Sequence, residues 1–431
     1  MTPRFRAVKG TRDLFPPESD RWIEAERIAR ETFGSWGYGE VRTPVLEDTA
    51  LFARSVGETT DIVHKEMYTF PDRKGRSLTM RPENTAGVVR ALIENGLASG
   101  PVPLRLYYLG PQFRYERPQA GRYREFSQIG VELLGVEGPS GEAEVIEMLF
   151  AYLEALGFRE LSVSLNSVGT AETRASFGEA LRAHVQPRAG AFGEDDRRKL
   201  ADNPLRLFDS KDPAARRALA GAPRTLDFLD EDSHRHHREV ERLLAEARIP
   251  YRDDPTLVRG LDYYTRTVFE VSSGDLGAQD ALLGGGRYDG LVASLGGPPL
   301  PAVGFAIGED RLLQVAPLAL PRRACVIVLP QGADDVAEAA RIARQVRVAL
   351  PGGRVEVDLT ARGLKKGMAR ASSLFAEAGA RGFDPGSMLA LFVGQRERSE
   401  GTVTVKKLAT GDQETVPVAE LVRHIAAERN Q

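Results

Sequence analysis

The sequence predicts an α+β chain of more than one domain, and three observations predict it. Two extended runs with a polar tip between them span residues 104–135, which makes an antiparallel hairpin. A charged stretch over residues 171–248 is short of β-branched runs and reads as helices inserted into that first part. Beyond a Pro-rich linker at residues 317–323, strand and helix patterns alternate, as in a small α/β domain with a mostly parallel sheet. A length of 431 residues agrees with two or three domains.

Composition bounds the function. Apolar content of 42% and charged content of 28% are those of a soluble globular protein. The single cysteine, Cys325, excludes a disulfide framework and a cysteine-based metal cluster. A formal net charge of −3 gives no global pull on nucleic acid, so any RNA contact must come from local patches. The first residues, MTPRFRAVKGTRD, lack an apolar signal core, and no run approaches a membrane span. A cytoplasmic protein with no membrane partner is expected.

In chain order, residues 17–36 read as a helix with acidic residues in its first turn and Gly37 past its end. Residues 38–43 read as a strand stopped by Pro44. Gly57, Glu58 and Thr59 mark a loop, residues 67–70 start a strand, and residues 72–75 turn. In LTMRPENTAGVVR (residues 78–90), Pro82 breaks a strand and a helix follows to about Asn95. Glu83 and Thr85 stand at the start of that helix. They are either its cap or the wall of a pocket for an ammonium group, and local sequence leaves both readings open.

The hairpin strands lie at residues 104–109 and 124–134. Side chains alternate along a strand, so Arg124, Phe126, Gln128, Gly130 and Glu132 share one face, while Ile129, Val131 and Leu133 share the other. The second set is a core face. The first aligns an aromatic plate, an amide, a gap and a carboxylate, with Arg114 and Glu116 extending it from the partner strand. A solvated face of cross-strand pairs seldom needs a mid-strand glycine, so a ligand floor is favoured, closely approached at Gly130. Arg114 and Arg122 suit phosphate, because a planar fork grips oxyanions bidentately. Phe126 suits stacking on a flat base.

Residues 141–156 form a helix stopped by Gly157, and residues 161–165 a strand. The helical stretch contains NPLRLFDSKD (residues 203–212) and the histidines His234, His236 and His237. No carboxylate or cysteine stands in a recognised ligand spacing around them, so they are read as a solvated helix face and no metal site is expected. In LVRGLDYYTRTVFEV (residues 257–271), Arg259 and Gly260 precede a strand, Tyr263 and Tyr264 point to opposite faces, and Asp262 orients a neighbouring donor. A salt-bridged edge strand is the plainer reading, a site the favoured one. Gly284, Gly285 and Gly286 then lead into Arg287, Tyr288 and Asp289. In AVGFAIGEDRLL (residues 302–313), Gly304 and Gly308 bracket a short strand that runs into a helix, with Arg311 in its first turn facing any anion held there. P-loop and dinucleotide spacings are absent; these glycines let the backbone approach a phosphate or base.

The last domain reads as strands at residues 325–329, 355–360, 388–393 and 402–408, and helices at 334–349, 364–378 and 418–428. Arg362, Lys365, Lys366 and Arg370 gather at one helix start, as a solvated face or as a contact to a phosphate backbone.

With these pieces in place, the chain resembles the class II aminoacyl-tRNA synthetases, and among them the bacterial-type histidyl-tRNA synthetases, over essentially its whole length. The helix–strand–Pro44 module resembles motif 1, FRYERPQAGRYREF (residues 113–126) motif 2, and GFAIGEDRL motif 3. RGLDYYT (residues 259–265), GGGRYDGL (residues 284–291) and RPENTAG resemble the histidine-specific signatures. The resemblance implies a catalytic domain over residues 1–320, an antiparallel sheet flanked by helices with residues 171–248 as a helical insertion. It implies an α/β anticodon-binding domain over residues 321–431 and a homodimer formed through motif 1. The insertion is expected to close on the tRNA acceptor stem, so that its deletion spares adenylate formation and cripples transfer.

The implied reaction joins L-histidine to tRNA(His). The histidine carboxylate attacks the α-phosphorus of ATP, and a ribose hydroxyl of the tRNA then takes the histidyl group; no His, Ser or Cys nucleophile is needed. By the same resemblance Arg114 binds the α-phosphate, Arg311 the far phosphates and one adenine face, and Phe126 the other face. Glu116 contacts adenine or a metal-bridged phosphate, Arg122 reaches the triphosphate, and Mg2+ accompanies ATP. Arg259 bridges the substrate carboxylate and α-phosphate. Glu83, Thr85 and Gln128 hold the ammonium group, Glu132 and Tyr264 read the ring nitrogens, and Tyr263 and Tyr288 wall the pocket. No editing domain is expected. The alternative is the synthetase-like regulatory subunit of ATP phosphoribosyltransferase, which shares the fold without aminoacylation; the complete motifs and the C-terminal domain weigh against it. An accessory nucleic-acid binder and a synthetase of other specificity are the remaining alternatives. Two departures from the family pattern stand out: Asn84, where many relatives have Gly and little effect is expected, and residues 382–387, which read as an insertion.

Overall fold

The computed structural model describes residues 5–57, 60, 62–118, 121–274, 281–361 and 363–428. Glu58 and Thr59 of the expected loop and Arg362 of the basic cluster lie outside the described residues. The chain divides into two compact units, Met1–Asp13 with Ala25–Pro317, and Leu14–Glu24 with Leu318–Gln431.

Helix α1 (Glu18–Ser35) forms as expected, with Glu18 and Asp20 in its first turn. The strand expected after it shrinks to β1 (Gly39–Glu40), which pairs in parallel with β5, and the next N–H, of Val41, donates to the Tyr107 carbonyl at 2.8 Å. Strands β2 (Leu46–Asp48), β3 (Tyr68–Pro71) and β4 (Ser77–Met80) make a small antiparallel sheet in the order β2-β4-β3. The sequence reading missed α2 (Thr49–Val56), whose start is capped by Asp48 accepting from the Ala50 N–H at 2.9 Å. Helix α3 (Thr85–Glu94) follows β4.

The large sheet takes β5 (Leu104–Phe113), β6 (Glu125–Leu134), β7 (Leu161–Ser167), β8 (Tyr251–Asp253), β9 (Thr265–Ser273), β10 (Ala281–Arg287) and β11 (Ala302–Gly308). With β1 the order is β1-β5-β6-β11-β10-β9-β7-β8. The neighbours from β5 to β7 are antiparallel, and β1 and β8 add parallel edges. Strand β9 is therefore interior, not an edge. Helix α4 (Ser140–Ala155) covers the sheet with a buried apolar stripe that includes Val145, Ile146 and Leu149. The core face of β6 is as expected: Ile129, Val131 and Leu133 are sealed. Its other face is sealed at Gln128 and Glu132 as well, so the candidate floor is no solvated surface.

Residues 171–248 are helical throughout, with α5 (Ala171–Val185), α6 (Glu194–Asp202), α7 (Pro213–Ala218) and α8 (Glu231–Glu246) joined by 3-10 turns. They enclose a small core of their own around Phe177, Leu181 and Leu207. The solvated-face reading of the histidines fails for two of the three. His236 and His237 are buried, because α8 packs on α4 and on the sheet. His236 Nε2 lies 2.7 Å from Glu142 Oε1, and His237 Nε2 lies 3.1 Å from Asp253 Oδ1. His237, Glu241 and Asp253 also bring donor atoms within 4.8 Å of one another, a grouping that involves β8 and is invisible in sequence spacing. Short helices α9 (Leu291–Ser294) and α10 (Glu309–Val315) complete this unit.

In the second unit, β12 (Arg323–Pro330), β13 (Arg354–Val357), β14 (Phe383–Val393), β15 (Thr402–Lys407) and β16 (Gln413–Pro417) stack in the order β13-β12-β14-β15-β16. Two pairings are parallel and two antiparallel, so the sheet is mixed rather than mostly parallel. Helices α11 (Val336–Ala349), α12 (Leu364–Ala376), α13 (Gln395–Glu400) and α14 (Leu421–Glu428) surround it. Residues 383–387 fall within β14, and the register there is irregular: Phe383 pairs with Arg323 and Met388 with Cys325, so the residues between them bulge out of the ladder at the expected insertion. Among the described residues no helix is long and apolar enough to cross a membrane.

Candidate active site

The site grows out of the start of α3. Pro82 ends the strand, and Glu83 turns back to accept from the N–H groups of Thr85 (2.6 Å) and Ala86 (3.0 Å), capping the helix. The same carboxylate that caps the helix also lines a cavity of about 180 Å³. Burial raises its pKa above the usual carboxylate range, against the pull of those N–H groups.

Glu132 forms the deep end of this cavity. It is 1% exposed, with Thr85 Oγ1 donating to its Oε1 at 2.7 Å and the Tyr288 hydroxyl bonded to its Oε2. Burial pushes its pKa up to about 8, against the hydrogen bonds from Tyr288 and Thr85. Glu132 therefore pairs with Tyr288 and Thr85 in the resting site, and not with Tyr264. Gln128 Oε1 is buried without a hydrogen-bond partner at the rim, an acceptor suited to an N–H donor.

The three tyrosines expected as walls converge. Tyr263 lies 4.9 Å from Tyr264 and 5.6 Å from Tyr288, centroid to centroid. The expectation that Tyr263 and Tyr264 point to opposite faces is corrected: β9 begins only at Thr265, so strand alternation does not govern them, and both line the same cavity. Arg259 lines it too, ion-paired with Glu270 of β9. A Cβ at Gly284 would sit 2.4 Å from the Arg259 guanidinium carbon. Gly284 thus clears room for a protein side chain, where the sequence reading had backbone approaching a ligand.

A second cavity of about 400 Å³ adjoins the first, and Arg114, Gln128, Arg259 and Gly284 line both. Glu116, Arg122, Phe126 and Arg311, the residues expected around a nucleotide, all line this larger one. Arg114 donates from Nε to the Pro82 carbonyl at 2.8 Å, and its guanidinium lies 5.3 Å from the Phe126 ring centre. Glu116 sits 3.7 Å from Arg122 and 3.9 Å from Arg114. The candidate residues therefore sort into two joined chambers, with Arg114 and Arg259 at the junction. Such a junction of positive charge fits the meeting point of a carboxylate and a phosphate.

Two site residues were missed. Tyr108 lines the smaller cavity, and its ring fills the space beside Gly130, where a Cβ would meet its Cζ at 2.1 Å. The mid-strand glycine thus serves a neighbouring ring, not a ligand. Only the register, which places Tyr108 opposite Gly130, reveals this. Glu270 lines the larger cavity. Its signal was a lone carboxylate midway along the apolar run TVFEV.

A family model described as histidyl-tRNA synthetase matches residues 10–312, and one described as an anticodon binding domain matches residues 324–428. A histidine–tRNA ligase of Synechococcus elongatus is 46% identical over 422 residues, 97% of this chain and 94% of the relative. The crystal structure of apo S. aureus histidyl-tRNA synthetase is similar with a TM-score of 0.77 and 34% identity, covering 98% of this chain and 100% of that one. A Bacillus halodurans chain described as an ATP phosphoribosyltransferase regulatory subunit/histidyl-tRNA synthetase has a TM-score of 0.64 at 24% identity, over 86% of this chain and 97% of that one, a likeness of fold alone.

Proposed function

The chain belongs to the histidyl-tRNA synthetase family and joins histidine to its tRNA with ATP as co-substrate, and from that premise we propose how its two chambers divide the work. The smaller chamber takes the amino acid. The acceptors Glu83 and Gln128 face the ammonium group, while Glu132, with Thr85 and Tyr288 bonded to it, meets one imidazole nitrogen. Tyr264 meets the other nitrogen, and Tyr263 and Tyr288 close the walls. A pocket built on such hydrogen bonds rejects analogues that lack them.

The larger chamber takes ATP, with Phe126 and Arg311 on the two adenine faces and Arg122 at the triphosphate. Glu116 and Glu270 are the carboxylates on this chamber, and their hard oxygen donors fit Mg2+. When bound, that ion supplies charge neutralisation on the phosphates. At the junction Arg114 binds the α-phosphate. Arg259 bridges it to the attacking carboxylate, exchanging its Glu270 contact for the negative charge that grows in the transition state. The step needs positioning and charge, and no protein nucleophile.

We assign the catalytic domain to residues 1–320 with the 171–248 insertion, and the anticodon-binding domain to residues 321–431. The protein works in the cytoplasm as a homodimer formed through α1, β1 and Pro44. The observation that carries the activation chemistry is the shared wall, where Arg114 and Arg259 line both chambers. The test is ATP–pyrophosphate exchange against a panel of all amino acids, with wild type and Arg259→Ala. Exchange with histidine alone, abolished in the variant, supports the assignment. Exchange driven by another amino acid overturns the pocket reading, and none with any amino acid returns the regulatory-subunit reading.

A further inference from the structure

The loop of residues 257–264 carries Arg259, Tyr263 and Tyr264 into the site, yet it has no strand or helix of its own. Much of its anchoring comes from the helical stretch of residues 171–248. Arg206 Nη2 donates to Asp262 Oδ1 at 2.9 Å and to the Gly260 carbonyl at 3.4 Å. Asn203 Nδ2 donates to the same Asp262 oxygen at 3.2 Å. Arg174 Nη1 donates to the Tyr264 carbonyl at 2.8 Å. Val258, the residue before Arg259, packs against the core that Phe177 and Leu207 build inside the helical stretch.

From the opposite side, the Asp262 N–H donates to the Val56 carbonyl at 3.3 Å, and a Cβ at Gly57 would fall 2.4 Å from Asp262 Oδ2. Asp262 is thus clamped between the end of α2 and Arg206. Two acceptors on one guanidinium nitrogen, the Asp262 carboxylate and the Gly260 carbonyl two residues before it, fix direction as well as distance. Both carbonyl anchors, Gly260 and Tyr264, flank residues that line the amino-acid chamber. Arg259 must lie within a fraction of an ångström of its productive position to neutralise transition-state charge, so its backbone needs such support.

We propose that Arg206, assisted by Arg174 and Asn203, is a positioning residue for Arg259, so that the helical stretch takes part in amino-acid activation as well as in any contact with tRNA. The inference rests on the functional reading above. It also revises the sequence-based expectation that deleting residues 171–248 spares adenylate formation: the deletion removes three of the loop's anchors and should abolish both steps.

The test uses the full chain as wild type, Arg206→Ala, Asp262→Asn and the double variant, with circular dichroism to check folding. Histidine-dependent ATP–pyrophosphate exchange is measured with and without millimolar guanidinium chloride. Each single variant is expected to lose about tenfold or more in kcat. The double variant should be no worse than the poorer single one, since both cut one contact. Added guanidinium should restore part of the Arg206→Ala loss, and not that of Asp262→Asn. Should Arg206→Ala not fold, the isosteric Asp262→Asn carries the test with Arg206→Lys, which keeps the charge and loses the Nη2 donor shared by Asp262 and the Gly260 carbonyl. Exchange within twofold of wild type with only aminoacylation slowed overturns the proposal. So does a loss that is additive in the double variant and unresponsive to guanidinium, which marks a merely structural role. Absence of histidine-dependent exchange in wild type condemns the functional reading instead.

Discussion

Arg287 lays its guanidinium along both oxygens of Glu142, Nη2 2.5 Å from Oε2 and Nε 2.8 Å from Oε1, with neither side chain exposed to solvent. The fork also donates to the Val136 and Gly138 carbonyls and to Asp289, and His236 approaches the same carboxylate. Burial alone would raise the Glu142 pKa, but Arg287 and His236 override it and hold it at about 2. Glu142→Gln leaves a buried guanidinium with half its counter-charge, and the cost is about 3–5 kcal/mol. A fall of several degrees in the first thermal transition is expected. A midpoint within a degree of wild type would show that the pair contributes little. Because the folded value lies below the unfolded one, the contribution is complete above about pH 4.5 and is lost as pH falls towards 2.

Glu132 sets a pH dependence on histidine binding. Its pKa of about 8 means that the empty pocket holds a proton at neutral pH. Free histidine has a neutral ring above roughly pH 6.5, so between these values the neutral ring and protonated carboxyl meet without net proton exchange. Above pH 8 the empty site loses its proton and binding must recover one, so KM for histidine rises by up to about tenfold per pH unit. Glu132→Gln cannot lose that proton. The ratio of variant to wild-type KM should therefore fall from pH 8 to 9.5, while titration of the substrate amino group cancels. A flat ratio over that range would remove Glu132 from this role. For stability the sign runs the same way: the raised value makes its contribution complete below about pH 4.5 and lost as pH rises through 8.

Gly284→Ala separates activity from folding. The added methyl would meet the tip of a flexible side chain, 2.4 Å from the Arg259 guanidinium carbon, so Arg259 swings aside at little cost to the fold. A displacement of about an ångström at a reacting group costs on the order of a hundredfold in rate. Exchange should fall by that order while the urea midpoint barely moves. Equal losses in both would mean that the methyl disrupts β10 itself.

The parts legible in the sequence were those ruled by local period. Alternation along β6 put Phe126, Gln128 and Glu132 on one face, and the structure keeps them on the walls of the two chambers. The errors fall where tertiary pairing decides. Gly130 faces Tyr108 only through the β5–β6 register. His236 meets Glu142 across a gap of 94 residues in sequence, which no spacing rule reaches. Tyr263 and Tyr264 were assigned by a strand period that does not yet apply before Thr265. The stretch at residues 382–387, read as an insertion, lies where β14 bulges between its Phe383 and Met388 pairings with β12.

Asn84 offers the last prediction, because the expectation of little effect there does not survive the geometry. Its side chain is buried, and its Oδ1 accepts from Thr43 Oγ1 at 2.7 Å and from Arg81 Nη1 at 3.0 Å. Arg81 in turn holds the Pro111 and Thr43 carbonyls, so this one amide oxygen ties the chain just before Pro44 to the start of α3 and to β5. Asn84→Gly removes the acceptor and leaves the Thr43 hydroxyl short of a partner, while Arg81 Nη1 keeps only Thr43. The cost is about 1–3 kcal/mol. Glu83 and Thr85 flank the residue, so loosening it also blurs the amino-acid chamber, and KM for histidine should rise together with the drop in the urea midpoint. Asn84→Asp keeps an acceptor towards Arg81 and should retain most of the stability. A glycine variant as stable as wild type would mean that Arg81 is held well enough by the Pro111 and Thr43 carbonyls and the Thr43 hydroxyl.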